Sequence, residues 1–439
     1  MMTQTHTMLP RLRRFGAAAL VAALAGCTDF LTVPNPTVID AGLINPVTDA
    51  STLAGSAQQN FTTYFGFHAI YGGWYTNEIA VAETFPTRNE FGLRNVANTN
   101  GSLNTDLWVP LSGAMASSRI VLGLALPTPT TNINRAQAAL FAGYSFEMMA
   151  ESFCQGTVAA GAQTPGPKLT VANMIDSAIA NFTIAITVGT ANGTTAGLNY
   201  ARAATVGRAR ANLQKLNYAG AAADAALVPA GYVFNLVFVD DFANRTRLGN
   251  TVWQLTRDRG SVSVDSAWRQ AVDTSWHVNA QNADPRVPWA NGNTFTPNLT
   301  AQDGTAGPFY VANKFNGYGL PIRLASKLEA DYIAAEASQN IATIAAFILA
   351  RRQATFNNTA TYTTPGTLAA AIRDLMTERG YDFFLEGKRI GDLQRNGAAA
   401  IRGLGQPGSV YFKPGFPAVG TQSCYPVPFA ETSTNPNFP

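Results

Sequence analysis

The decisive stretch is Glu378-Arg379-Gly380-Tyr381-Asp382-Phe383-Phe384-Leu385-Glu386-Gly387-Lys388-Arg389-Ile390-Gly391-Asp392-Leu393-Gln394-Arg395, a block of alternating charge in a chain with only 13% charged residues. Leu368, Ile372, Leu375, Met376 and Phe383 recur at helical intervals. Asp382 and Glu386 stand four apart, and Arg389 and Asp392 three apart, so acids and bases can meet on neighbouring helical faces. The aromatic neighbours Tyr381, Phe383 and Phe384 imply burial, and buried charge is tolerated only when paired. Glu378, Arg379, Asp382, Glu386, Arg389 and Asp392 are therefore read as a structural ion-pair block. They are not read as catalytic: every carboxylate has a basic neighbour that would hold it ionised and occupied.

The pattern Glu378-Arg379, Phe383, Glu386-Gly387-x-Arg389 and Asp392-Leu393-x-Arg395 resembles the C-terminal signature of the SusD/RagB family of outer-membrane nutrient-binding lipoproteins. Further landmarks follow in the family's usual order: Asp284-Pro285-Arg286, Lys314-Phe315, Glu329 with Tyr332-Ile333 and Glu336-Ala337, Tyr425-Pro426-Val427-Pro428, then Glu431 and Asn435-Pro436-Asn437. Gly380, Asp382 and Ile390-Gly391 depart from the family's residues.

At the other end, Arg11, Arg13 and Arg14 precede an apolar run from Phe15 to Leu24, too short to span a bilayer and suited to a secretory signal. The run closes on Leu24-Ala25-Gly26-Cys27, which resembles a lipobox, with residues 1–26 as signal peptide and Cys27 as the lipidation site for palmitate or similar acyl chains. Residues 27–48 read as a proline-bearing tether, and Cys27-x-Asp29-Phe30-Leu31 again resembles SusD-like N-termini. Three of the 30 basic residues and none of the 27 acidic ones lie in residues 1–26, so the remainder is formally neutral. No basic excess or stripe remains, which sets a nucleic-acid partner aside. Cys154 and Cys424 are left, and their separation in sequence leaves their pairing open.

Residues 49–439 read as one mainly α domain, an α/α superhelix of tetratricopeptide-like pairs with long loops and a few short strands. Helices are expected over Asp49–Phe65, breaking near Gly72-Gly73, then Asp106–Leu126, Asn134–Phe153, Val171–Val188, Arg202–Leu216, Gly220–Val228, Leu324–Gln339 and Ile341–Phe356. A loop-rich insert occupies about 231–319, with strands expected at Tyr232–Phe234 and Val252–Leu255.

Nucleotide-binding, serine-hydrolase, zinc-protease and calcium-loop patterns do not occur, and beyond the signal the chain holds only His68 and His277. No catalytic residue, metal or cofactor is expected. Sugar rings stack their C–H faces on aromatic side chains while their hydroxyls bond amides. Tyr71, Trp74, Tyr75 and Asn77 beside two glycines, with Trp276 and Trp289 near further amides, are the expected ligand-binding residues. Trp108 and Trp253 fit core positions. The resemblance implies a lipid-anchored binder, outside the cell at the outer membrane, that takes an oligosaccharide or peptide and acts as lid for a TonB-dependent (SusC-like) channel. A lipid-anchored carbohydrate-degrading enzyme is the alternative.

Overall fold

In the computed structural model, the described residues are 44–159, 164–269, 284–304, 309–356 and 360–438. Cys27, most of the 27–48 tether, Trp276 and His277 lie outside them. Residues 45–439 form one compact unit.

Six helices, α1 (Ala50–Tyr75), α2 (Val109–Gly123), α3 (Ile133–Ser152), α4 (Val171–Asn192), α5 (Thr195–Gln214) and α6 (Tyr218–Ala226), pack in sequence order as antiparallel neighbours. Contacts of α3 with α5 as well as α4 wind the array into a superhelix. Local signals set the helix ends. Asn132 caps α3, Thr170 and Asn173 form a capping box on α4, and Thr194 caps α5. Gly193, at φ +70, supplies the left-handed turn that ends α4.

Small residues let these helices approach closely. Phe182 of α4 lies against Gly143 of α3 and Gly207 of α5, where an added Cβ would fall 2.6 and 2.4 Å from the ring. Tyr144 meets the same ring edge-on, with centroids 4.9 Å apart, and its hydroxyl donates to the Ala203 carbonyl.

The loop-rich third carries three two-stranded antiparallel pairs. Strand β1 (Ile79–Val81) pairs with β3 (Val262–Val264), β2 (Val233–Leu236) with β6 (Ile322–Ser326), and β4 (Trp289–Asn291) with β5 (Tyr310–Ala312). Ser326 then caps α7 (Lys327–Ala337), which returns to pack on α5 and α6. The pair α8 (Ile341–Thr355) and α9 (Leu368–Asp382) follows, then α10 (Arg389–Asn396), which rests on α1 and α3. Between α9 and α10, Leu385 and Gly387 adopt positive φ and reverse the chain. Cys154 and Cys424 form a disulfide with Cα atoms 5.2 Å apart, tying the end of α3 to the C-terminal segment.

Two expectations are corrected. Helix α1 does not break at Gly72-Gly73 but continues to Tyr75, because the glycines admit neighbours: a Cβ on Gly73 would stand 3.0 Å from Ile79. Val252–Leu255 is helical, Thr251–Trp253 leading into a π turn over Gln254–Asp258. Asn250 caps it, accepting from the Trp253 amide at 3.1 Å, and that local bond overrides the β-branched pattern.

Gly143→Ala should lower the unfolding free energy by about 1–3 kcal/mol through overpacking against Phe182. Denaturant titration of Gly143→Ala, Phe182→Leu and the double variant would check this, with the double variant less destabilised than the sum of the two.

Candidate functional site

The charged block forms the interior around which the helices are assembled. Glu329 of α7, 1% exposed, receives Lys388 Nζ at 2.8 Å, Arg379 Nη2 at 3.2 Å and Arg210 Nη1 at 3.5 Å. Arg210 of α5 also donates to Glu151 of α3. Arg379 reaches Asp392 at 3.1 Å, and Arg395 bridges Asp392 at 2.9 Å to Glu336 at 2.6 Å. A second group lies closer to the surface: Asp382 with Arg351, Arg286 and the Tyr332 hydroxyl; Glu378 with Arg286 and Arg352; Glu386 with Lys314 and Arg323. Arg286 is itself held by Asp284 at 2.7 Å.

Apart from Arg395–Asp392 and Arg286–Asp284, which are close in sequence, these partners come from distant elements rather than from adjacent helical turns. Arg389 departs further from expectation. It makes no ion pair within 4 Å among the described residues, but donates to the Arg402 carbonyl at 2.7 Å and lies over the Trp268 ring at 4.5 Å. Buried Glu78 supplies its strongest compensating charge; burial pushes that carboxyl up to about 7, against the pull of Arg389. Burial also raises the Glu378 carboxyl. Burial acts the same way on Glu329, but Lys388, Arg210 and Arg379 outweigh it and draw that carboxyl down to about 2.

Tyr71, Trp74 and Tyr75 are fully buried in α1, so they are core and not a ligand platform. Tyr71 meets Trp74 and Phe91 edge-on, and Tyr75 meets Tyr425. Asn77, at φ +56, turns the chain out of α1; its Oδ1 accepts from the Gly405 amide at 2.8 Å and its carbonyl from the Trp268 indole at 2.8 Å. His68 is also structural, bonded to Tyr64 and the Gly387 carbonyl, and burial holds its pKa down to about 3.

Trp289 is half-buried and stands on the loop-rich face, on β4 opposite Ala312 and edge-on to Tyr310 at 5.4 Å. Strand β5 bonds β3 through the Tyr310 amide and Ser263 Oγ at 3.1 Å, and β3 pairs with β1, so these short strands form one surface. Side chains not singled out from sequence join it. Arg257 lies 5.0 Å over Trp253 and 4.3 Å over Phe295, Arg259 lies 5.6 Å over Phe85, and Arg269 lies 3.5 Å over Tyr310. Trp253 and Arg257 are four apart in sequence, the one spacing that foreshadows a contact.

After β1 the chain borders a cavity of about 640 Å³, lined by Glu83, Thr84, Asp303, Phe412, Lys413 and Phe416. Lys413 bonds Asp303 at 2.6 Å and the Glu83 carbonyl at 2.7 Å. Glu83 is held by Arg88 at 2.8 Å and the Ser261 hydroxyl at 2.8 Å. The carboxylates here are engaged by cations, and the cavity combines apolar ring surface with fixed charges. That chemistry suits capture of a polar ligand.

Comparison with solved structures relates this architecture to others across nearly the whole chain. A SusD-like carbohydrate binding protein from Bacteroides fragilis superposes with TM-score 0.66 and 14% identity, covering 89% of this chain and 99% of that one. The fold is that of the SusD superfamily. A SusD superfamily protein from Bacteroides vulgatus gives TM-score 0.61 at 15% identity, covering 89% and 97%, and a SusD/RagB family protein from Bacteroides thetaiotaomicron gives 0.60 at 13%, covering 89% and 95%. No protein-family model and no curated protein matches the sequence. In this SusD-like fold the sequence landmarks Arg286, Lys314, Glu329 and Glu336 all bond the charged block, as described above.

Glu329→Gln should destabilise the protein by about 3–5 kcal/mol at pH 7, because three buried cations lose their shared counter-charge. A depressed carboxyl contributes stability above its unfolded value of 4.5 that is lost as pH falls toward 2, on the order of 3 kcal/mol for Glu329. Thermal melts from pH 7 to pH 2.5 should show a smaller acid-induced loss in Glu329→Gln than in the parent, and Arg389→Ala should cost less than Arg379→Ala.

Proposed function

We propose that the protein is a non-catalytic, glycan-binding member of the SusD/RagB family that captures an oligosaccharide on its loop-rich face and delivers it to a TonB-dependent outer-membrane transporter, acting as the lid. The carrying observation is the correspondence with SusD-like structures over 89% of this chain and nearly all of theirs, including one described as carbohydrate binding. The half-buried Trp289 with Asn291 and Asn293 on the same strand and turn, and separately the ring-lined cavity, support a sugar as ligand. Binding and handover need no acid–base pair, in keeping with carboxylates already engaged by cations.

The lipobox-like run ending at Cys27 supports anchoring at the outer membrane, facing the exterior. The Cys154–Cys424 disulfide suits an oxidising, exported location.

Trp289→Ala should weaken binding to the recognised glycan roughly tenfold or more, about 2 kcal/mol for a stacking anchor, with an unchanged melting temperature. Calorimetry over a panel of oligosaccharides and peptides would check it. Glycan cleavage during the assay would point to an enzyme, and peptide binding alone to a peptide carrier. Separately, Cys27→Ser should move the protein from the membrane to the soluble fraction or leave it unprocessed; acyl-free protein that stays with the membrane would refute the anchor.

A further inference from the structure

Arg257, Arg259 and Arg269 differ from the ion-paired arginines of the interior. None of the three has an ion pair within 4 Å among the described residues, and each lies over an aromatic ring of the loop-rich face. The acids nearest in sequence hold other hydrogen bonds, and one of them, Asp265, also feels the charge of Arg269. Asp258, between the first two, accepts from the Tyr318 hydroxyl, and Asp265 accepts from the Ala267 amide at 2.9 Å. Arg88, which shares the Phe85 ring with Arg259, is paired with Glu83.

The three are carried on the two ends of β3. Arg257 and Arg259 precede it and Arg269 follows, with Tyr310 of β5 bonded to its central Ser263. A three-residue strand spans roughly 10 Å, the scale of two sugar units in a chain. A guanidinium lying over a ring keeps its in-plane N–H donors for a third group, and a planar or trigonal oxyanion accepts two of them at once. The same stacking covers one side of Phe85, Phe295 and Tyr310, which removes ring surface that a neutral sugar would use.

We infer that this face selects an acidic glycan, one whose sugar units carry carboxylate or sulfate groups at regular spacing. The inference rests on the glycan-binding reading and adds the charge of the ligand.

The test measures binding of the full-length protein to polygalacturonate, dextran sulfate, amylopectin, yeast mannan and poly-L-glutamate at 50 and 300 mM NaCl, with Arg257→Gln, Arg269→Gln and exposed Arg202→Gln as variants. Polygalacturonate or dextran sulfate should bind at least tenfold more tightly than the neutral glycans, and which of the two prevails identifies the anion. Raising the salt should weaken that binding. Arg257→Gln and Arg269→Gln should each weaken it fivefold or more at unchanged melting temperature, and Arg202→Gln should leave it intact. Equal binding of neutral glycans, indifferent to Arg257→Gln and Arg269→Gln, would overturn the acidic selection and leave glycan capture standing. Binding of poly-L-glutamate with no glycan bound would overturn both, as would no binding at all.

Discussion

The carboxylate of Glu329 is the point on which the architecture depends. It is buried, and its cations arrive from α5 through Arg210, from α9 through Arg379 and from the turn before α10 through Lys388. A buried ion of this kind is stable only with its full set of partners, since desolvation costs several kcal/mol per charge and an incomplete set leaves that cost uncompensated. Arg210 extends the bonding to Glu151 of α3, and Arg395 extends it to Glu336 of α7. The superhelix and the C-terminal helices are therefore coupled through one polar centre, and neither can shift register without stranding a charge. The aromatic collar of Phe65, Tyr332 and Phe383 keeps water from screening these pairs.

Around that centre the helices satisfy a different constraint, close approach. Gly143 and Gly207 grip Phe182, and Gly73 admits Ile79, so rings fill the space that small residues leave open. The frame so formed holds the short strand pairs in place. Strands β1, β3, β5 and β4 are each only three residues long and would not persist alone; their bonds to one another and to the frame make a surface of them. The two regions use arginine in opposite ways. In the charged block the arginines other than Arg389 neutralise carboxylates, whereas on the loop-rich face Arg257, Arg259 and Arg269 lie on rings with no ion pair among the described residues.

The ring-and-amide pattern near the N-terminus shows why a binding site is harder to read than a scaffold. Tyr71, Trp74 and Tyr75 beside glycines and Asn77 have the composition of a sugar platform, yet the rings are core and Asn77 caps a turn against Gly405. Composition is the same in both settings because aromatic residues supply large apolar area to a core and to a ligand alike. Only the position of the helix relative to its neighbours separates the two. Trp253, by contrast, reads as a core strand residue and emerges half-buried on a helical turn under Arg257.

The sequence by itself determined the fold class, most helix limits and the burial of the charged block, because apolar periodicity, capping residues and charge pairing are local or nearly local signals. The landmark residues from Arg286 to Glu336 also announced the superfamily whose fold the chain adopts. Tertiary structure alone decided which acid meets which base: Glu329 is 50 residues from Arg379 and 119 from Arg210, and no spacing rule reaches that far. It decided that Arg389 answers carbonyls and Trp268 rather than a carboxylate, that Cys154 and Cys424 are joined, and that the rings of the loop-rich face lie beneath cations. Those contacts join segments up to 270 residues apart, and they exist only because packing of the helical frame brings the segments together.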